Sequence, residues 1–162
     1  MTEAALPHDL LGPGDAARRV VLAHGFTQDR GCWGPFADHL VDGGVSVLAV
    51  DLPGHGDAWD PGHPVLPDVP GTAARLTATG GRTIYLGYSL GGRACLQAAL
   101  DRPELVEALV LIGASPGIND PQERAERAAA DDALADHIEQ AGTAAFIDEW
   151  LAQPLFAALT DR

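Results

Sequence analysis

Four short runs of apolar, mostly β-branched residues, separated by stretches of helical character, constrain the fold of this chain more than any other feature. RVVLA at 19–23, VSVLAV at 45–50, TIYLG at 83–87 and EALVLI at 107–112 are nearly continuous in apolar character. Runs of that kind are the pattern of strands covered on both faces in a parallel sheet. Helix-like stretches at 33–42, 71–79 and 90–101 fall between them, so β and α alternate as in a doubly wound sheet with helices on both faces. The sequence predicts an α/β fold with four parallel strands.

The connections and the C-terminal part read differently. Pro53, Gly54 and Gly56 mark a tight loop after the second strand, and the stretch from Ala58 to Gly71, with four further prolines, reads as an irregular connection. His63 lies in that connection. No spacing there matches a metal-ligand pattern, so a solvated loop is the reading and no metal or cofactor is expected. From about 121 the composition shifts to Ala, Asp, Glu and Arg, with apolar residues at Leu134, Ile138, Phe146, Ile147 and Leu151. This predicts two or three amphipathic helices with no strand between them. The expected organisation is a core over 1–118 and a helical insertion over 119–162 that acts as a lid.

Charge narrows the partners. The 162 residues carry a net charge of −13, with ten arginines and no lysine. Nucleic acids and anionic membranes call for a basic face, so neither is expected as a partner, and lysine Schiff-base chemistry is excluded outright. No apolar run approaches the roughly 20 residues of a membrane span. The first twenty residues place acids early and arginines late with no apolar stretch between, the reverse of a secretory signal, so the expected location is the cytoplasm. Cys32 and Cys95 show no metal spacing and read as two free thiols.

Gly87-Tyr88-Ser89-Leu90-Gly91 begins where the strand TIYLG ends and runs into the helix LGGRACLQAAL. That context turns G-x-S-x-G into a nucleophile elbow, in which the serine is held at a strained strand-to-helix turn and glycines two positions away on either side allow strand and helix to approach. His24-Gly25-Phe26, at the end of an earlier strand, is placed to offer a backbone N–H toward the same point. Phe26 N–H and Leu90 N–H are the expected oxyanion-hole donors, helped by the partial positive charge at the start of the Leu90 helix. His24 is read as ordering its loop through hydrogen bonds, and Asp51 to Gly56 as a structural turn. Arg93, one turn past the serine, is either a surface arginine or a carboxylate clamp facing the pocket. Arg124 and Arg127, three apart with Glu123 and Glu126 beside them, read as ion pairs on a solvated helix face, and Trp150, at helical spacing from Phe146 and Ile147, reads as core.

Taken together, HGFTQDRGCW at 24–33, DLPGHG at 51–56, GYSLGGR at 87–93, GASPGI at 113–118, ERAERAAADD at 123–132 and FIDEWLAQPLF at 146–156 go beyond these general features. The chain resembles, from about residue 18 onward, the α/β-hydrolase-fold family of 2-succinyl-6-hydroxy-2,4-cyclohexadiene-1-carboxylate synthases of menaquinone biosynthesis. The R-x-x-R followed by W-x-x-Q-P-x-F carries more of the resemblance than the elbow does. The resemblance implies a carbon–oxygen lyase that removes a proton from a cyclohexene substrate and expels pyruvate, with the triad serine as base and the oxyanion hole holding a developing enolate. It further implies Ser89 as that base, Phe26 and Leu90 as backbone donors, and Tyr88, Arg93, Arg127 and Trp150 as side chains contacting a small anionic substrate. A strongly acidic protein repels such a substrate at long range and needs local arginine forks to grip its carboxylates.

In this fold the triad runs in the order Ser, Asp or Glu, then His, the last two on loops after later strands. Downstream of Ser89 the sequence holds one histidine, His137, inside a predicted helix with no strand after it. The expectation is therefore an N-terminal part of the fold, without the C-terminal strands and triad partners, nearly inactive alone and prone to self-association through an uncovered sheet edge. Two other readings share the elbow: a serine hydrolase acting on esters or carbon–carbon bonds, and a non-catalytic domain that binds a ligand in the same pocket.

Overall fold

A computed structural model describes residues 5–60, 62 and 67–156; His63 lies outside them. The sheet has five strands in the order β1-β3-β2-β4-β5: β1 (His8–Leu11), β2 (Arg19–Ala23), β3 (Ser46–Val50), β4 (Thr83–Tyr88) and β5 (Val106–Ile112). Strands β2 to β5 are parallel, and β1 pairs antiparallel with β3, His8 opposite Val50 and Leu11 opposite Val47. The four runs picked out in the sequence are these parallel strands to within a residue.

Strand β1 corrects the expectation of four. It has only four residues, all exposed, and it lies between Pro7 and Gly12, so neither an apolar run nor an alternation marks it. Pairing on one side only, it behaves as a sheet edge, where exposed and charged residues are tolerated. Asp51 N–H continues the ladder one step by donating to Pro7 C=O at 2.9 Å.

The two faces of the sheet carry separate cores, as the strand period of two requires. Val20, Leu22, Val47, Ala49 and Leu86 point to one face, where Ala37, Leu40 and Val41 of helix α1 (Gly34–Asp42) pack with Trp33. Val21, Ala23, Leu48, Val50 and Tyr85 point to the other, against Leu76 of helix α2 (Val69–Gly80) and Ala94 and Cys95 of helix α3 (Leu90–Asp101). Every residue of β3 is buried. Helix α2 starts where the sequence allows it to: Asp68 accepts Gly71 N–H at 2.9 Å as N-cap, with Pro70 in the first turn. Burial on two sides dominates the stability of this core, so truncating a wholly buried residue such as Leu22 to Ala costs about 2–5 kcal/mol.

The chain divides into two compact units, Met1–Pro116 and Gly117–Arg162. The second contains α4 (Pro121–Ala141) and α5 (Thr143–Leu151). Asp120 caps α4 by accepting the N–H groups of Gln122 and Glu123. Among the described residues of this unit Phe146 is the buried one, while Leu134 and Ile138 are half-buried. No helix among the described residues is long and apolar enough to cross a membrane.

Candidate active site

The carboxyl ends of the parallel strands meet at one edge, the place where open α/β sheets bind ligands. Ala23 pairs with Gly87 across β2 and β4, so the chain leaving β2 runs beside the turn leaving β4. Ser89 occupies that turn with φ 49° and ψ −108°, a left-handed conformation rare for a residue with a side chain. Three backbone bonds hold it: Ser89 N–H donates to Ile112 C=O at 2.9 Å, Gly91 N–H to His24 C=O at 3.0 Å, and Arg93 N–H to Ser89 C=O at 3.1 Å.

Glycine is needed at two flanking positions for space. A Cβ on Gly87 would sit 2.5 Å from the Gly91 carbonyl carbon, and one on Gly91 would overlap the Ala23 carbonyl group. Ser89 also stands at the N-cap of α3, yet its side chain makes no cap hydrogen bond. The hydroxyl that would ordinarily close the helix makes no such bond, and Leu90 N–H, first in the helix, has no carbonyl of its own helix to bond.

The loop after β2 lies beside the elbow. Gln28 N–H donates to Gly25 C=O at 3.3 Å, closing a four-residue turn with Phe26 and Thr27 at its centre. Thr27 has φ 68°, so this turn needs a left-handed residue at its third position and has a β-branched one there. Gln28 Oε1 accepts Gly25 N–H at 3.0 Å. Gly25 is required because a Cβ there would lie 2.7 Å from Tyr88 Cδ1; the other edge of the Tyr88 ring faces Gly113.

His24 is fully buried and orders the loop, as the sequence suggested. Its Nε2 accepts Leu52 N–H at 3.0 Å, which leaves the proton on Nδ1 to donate to Gly25 C=O at 2.8 Å. Burial lowers its pKa below 6.5, and the neighbouring His55 ring adds to the effect, against an opposing pull from the Gly25 hydrogen bond. The ring is a neutral double-ended clamp. His55 meets it edge-on at 5.0 Å between centroids and faces the Phe26 ring at 6.3 Å.

A second clamp was invisible in the sequence. Asp51, fully buried, accepts Arg30 N–H at 2.8 Å and Asp57 N–H at 2.9 Å and is paired with the Arg30 guanidinium, which also reaches Asp9 and Asp57. Burial opposes ionisation of Asp51, but the two backbone N–H bonds and Arg30 outweigh it and hold the carboxyl below its ordinary value.

Arg93 is exposed on the first turn of α3, and among the described residues no carboxylate pairs with it, in contrast to Arg30, Arg82, Arg102 and Arg127. Arg127 lies on α4 and pairs with Asp131 at 2.8 Å, the i,i+4 bridge that one reading of the sequence foresaw; Arg124 donates to Ile118 C=O. Trp150 packs between Phe146 and Phe156 within its own unit. His137 lies in α4 and is bound to Glu149 at 2.6 Å. Cys32 and Cys95 are free thiols. Among the described residues no group of histidine, cysteine and carboxylate side chains is arranged to hold a metal.

A parallel sheet with helices on both faces, a strained serine between strand and helix, and a glycine-bearing loop beside it define an α/β-hydrolase. The family model described as "Alpha/beta hydrolase family" matches residues 20–162, and the chain belongs to that family. It is 33% identical over 144 residues to a 2-succinyl-6-hydroxy-2,4-cyclohexadiene-1-carboxylate synthase of Escherichia coli O1:K1, covering 88% of this chain and 56% of that protein. The identity is 34% over 152 residues to the protein of the same name in Salmonella heidelberg (strain SL476), covering 89% and 57%. The solved structure of MenH from S. aureus superimposes with a TM-score of 0.76 at 24% identity, over 96% of this chain and 60% of that one. The chain thus spans a little over half the length of the curated relatives it matches.

Proposed function

We propose that this site performs the lyase step for which its curated relatives are named, releasing pyruvate from 2-succinyl-5-enolpyruvyl-6-hydroxy-3-cyclohexene-1-carboxylate to give 2-succinyl-6-hydroxy-2,4-cyclohexadiene-1-carboxylate in menaquinone biosynthesis. The observation that carries the reading is the match at 33% and 34% identity to synthases over nearly nine-tenths of this chain, continuous through both units.

Ser89 takes the proton at ring C2, the electrons of that C–H bond form C2=C3, the C3=C4 pair moves to C4=C5, and the C5–O bond breaks to release the enolate of pyruvate, which then takes up a proton. Phe26 and Leu90 N–H groups hold the oxygen on which charge develops, stabilisation that is largest in the transition state. The unpaired Arg93 grips a substrate carboxylate with its planar fork. Tyr88 contacts the same substrate from beside the elbow, and no cofactor takes part. A serine hydroxyl becomes a base only when an imidazole accepts its own proton. Among the described residues no imidazole is bonded to the Ser89 hydroxyl: His24 uses both ring nitrogens on Gly25 and Leu52, His55 Nδ1 meets Pro53 C=O, and His137 Nε2 meets Glu149.

The test is pyruvate release, followed by a coupled lactate dehydrogenase assay, on the chain as it stands and on the chain extended with the C-terminal residues of the E. coli relative beyond the matched region. Release from the extended chain that Ser89→Ala abolishes and Arg93→Gln weakens mainly in KM supports the reading. Turnover of p-nitrophenyl acetate without pyruvate release would replace it with ester hydrolysis, and carboxylate binding with neither turnover would replace it with a binding domain.

A further inference from the structure

The turn that carries Phe26 is not stable on its own account. Thr27 sits at φ 68°, and a β-branched residue in the left-handed region is strained in an isolated chain. Such a conformation persists where the surroundings over-determine it. Two adjacent residues of the loop after β3 do this from opposite ends. Leu52 N–H fixes His24, which in turn holds Gly25 C=O, at the start of the turn. Asp51 fixes Arg30 by backbone and side chain, beyond its end.

Asp51 has the features of a built anchor. It is wholly buried, and its two oxygens receive two backbone N–H groups and a guanidinium. Gly56 has φ 48° and lies so close that a Cβ there would overlap the Asp51 carboxylate, so the loop is shaped to let Asp57 N–H reach it. Arg30 is tied down by three carboxylates at once.

We propose that Asp51, acting through Arg30, is a positioning residue that holds the Phe26 N–H in place to receive the developing negative charge. This rests on the reading of Phe26 N–H as an oxyanion donor. Asp51 touches neither substrate nor Ser89 and works only by keeping the strained turn closed. Asn in its place keeps the shape, but its amide NH2 turns donors toward the N–H groups of Arg30, Asp57 or the guanidinium, so one buried donor loses its acceptor.

The experiment is residue-resolved amide hydrogen exchange by NMR on the full 162-residue chain, comparing wild type with Asp51→Asn and Arg30→Met. In D51N, exchange at Gln28, whose N–H closes the turn by donating to Gly25 C=O, is expected to quicken by about tenfold or more while the amides of Leu22 and Tyr85 in the sheet keep their rates, a local signature that general destabilisation does not produce. R30M, which keeps the Asp51 bond to the Arg30 backbone, gives a smaller rise at the same amide. Unchanged exchange at Gln28 in a folded D51N overturns the proposal. If D51N does not fold, R30M decides, and no local rise at Gln28 overturns it equally. A second arm adds phenylboronic acid: the Ser89 oxygen bonds to boron, its proton goes to solvent, and the boronate oxygen takes the donors. A shift of the Phe26 amide in wild type that D51N loses, with the Leu90 shift retained, supports the proposal. A wild-type chain that forms no adduct counts against the reading of the site, and the exchange rates then decide the positioning alone.

Discussion

His24 and Leu52, 28 residues apart, are joined by a buried bond in which the Leu52 N–H donates to the imidazole Nε2 at 3.0 Å. This single contact fixes the tautomer of His24, and with it the direction of the Gly25 carbonyl. Replacing His24 with Ala orphans the buried Leu52 N–H, at about 1–3 kcal/mol, and empties the space of a fully buried ring, so His24→Ala is expected to lose about 3 kcal/mol by urea unfolding at pH 7.5.

Burial lowers the pKa of His24 in the folded chain below its ordinary 6.5. The unfolded chain therefore binds a proton that the folded chain refuses between those two values. Stability contributed by the neutral ring is fully present above pH 6.5 and declines as pH falls below it. Urea midpoints measured from pH 7.5 down to 5 should fall for wild type, and the slope over that window should flatten in a His24→Gln chain.

Gly91→Ala is expected to be among the most damaging single-methyl additions in the chain. The new Cβ meets the backbone of Ala23 and His24, which cannot swing aside as a side chain can. The elbow and the neighbouring strand would have to separate, at about 3 kcal/mol or more, and thermal melting reads this directly. Gly14→Ala, where nothing lies near the added carbon, is the control.

Thr27→Gly tests the strain in the turn from Gly25 to Gln28 from the other side. Glycine adopts φ 68° without steric cost, which offsets its greater freedom in the unfolded chain. The variant should be equal to wild type or more stable by up to about 1 kcal/mol, against the loss of similar size that Thr→Gly usually brings in ordinary backbone.

Cys95 is buried, and its thiol is pushed up to about 12 by that burial; Cys32 is raised to about 11, first by burial of its sulfur and then by Asp29. The thiolate is the reactive form. Iodoacetamide at pH 8 should therefore label Cys32 slowly, with a rate rising about tenfold per pH unit, and should label Cys95 only as fast as the chain unfolds. Mass spectrometry of the labelled peptides separates the two.

The parallel strands were legible because burial on both faces leaves a mark in composition: β3 is covered throughout and its sequence is apolar from Val47 to Val50. Strand β1 left no such mark, since its stability comes from pairing with β3 along one edge and not from apolar side chains. The elbow was legible because its steric demand falls on nearby positions, two glycines and a serine within five residues. The Asp51 clamp was not, because DLPGHG looks the same whether its acid faces water or a guanidinium 21 residues away. Arg127 shows the limit in the other direction: spacing foresaw an ion pair on the helix face, with Asp131 as the partner in place of the neighbouring glutamates, and only resemblance to relatives brings it to a substrate.

The outer strand of the sheet, β5, turns Val110, Leu111 and Ile112 outward with about two-fifths of each exposed. Apolar groups on an edge strand are a template for pairing, so the 162-residue chain should associate with rising concentration, and Leu111→Lys should shift a sedimentation profile toward monomer.

Because Ser89 withholds its side chain from the start of α3, that helix begins one hydrogen bond short. A negatively charged guest seated there would complete it, so occupancy and folding share one equilibrium. The chain's melting point then becomes a gauge of which anions fit, with saturation at 100 times the dissociation constant raising stability by about 2.7 kcal/mol.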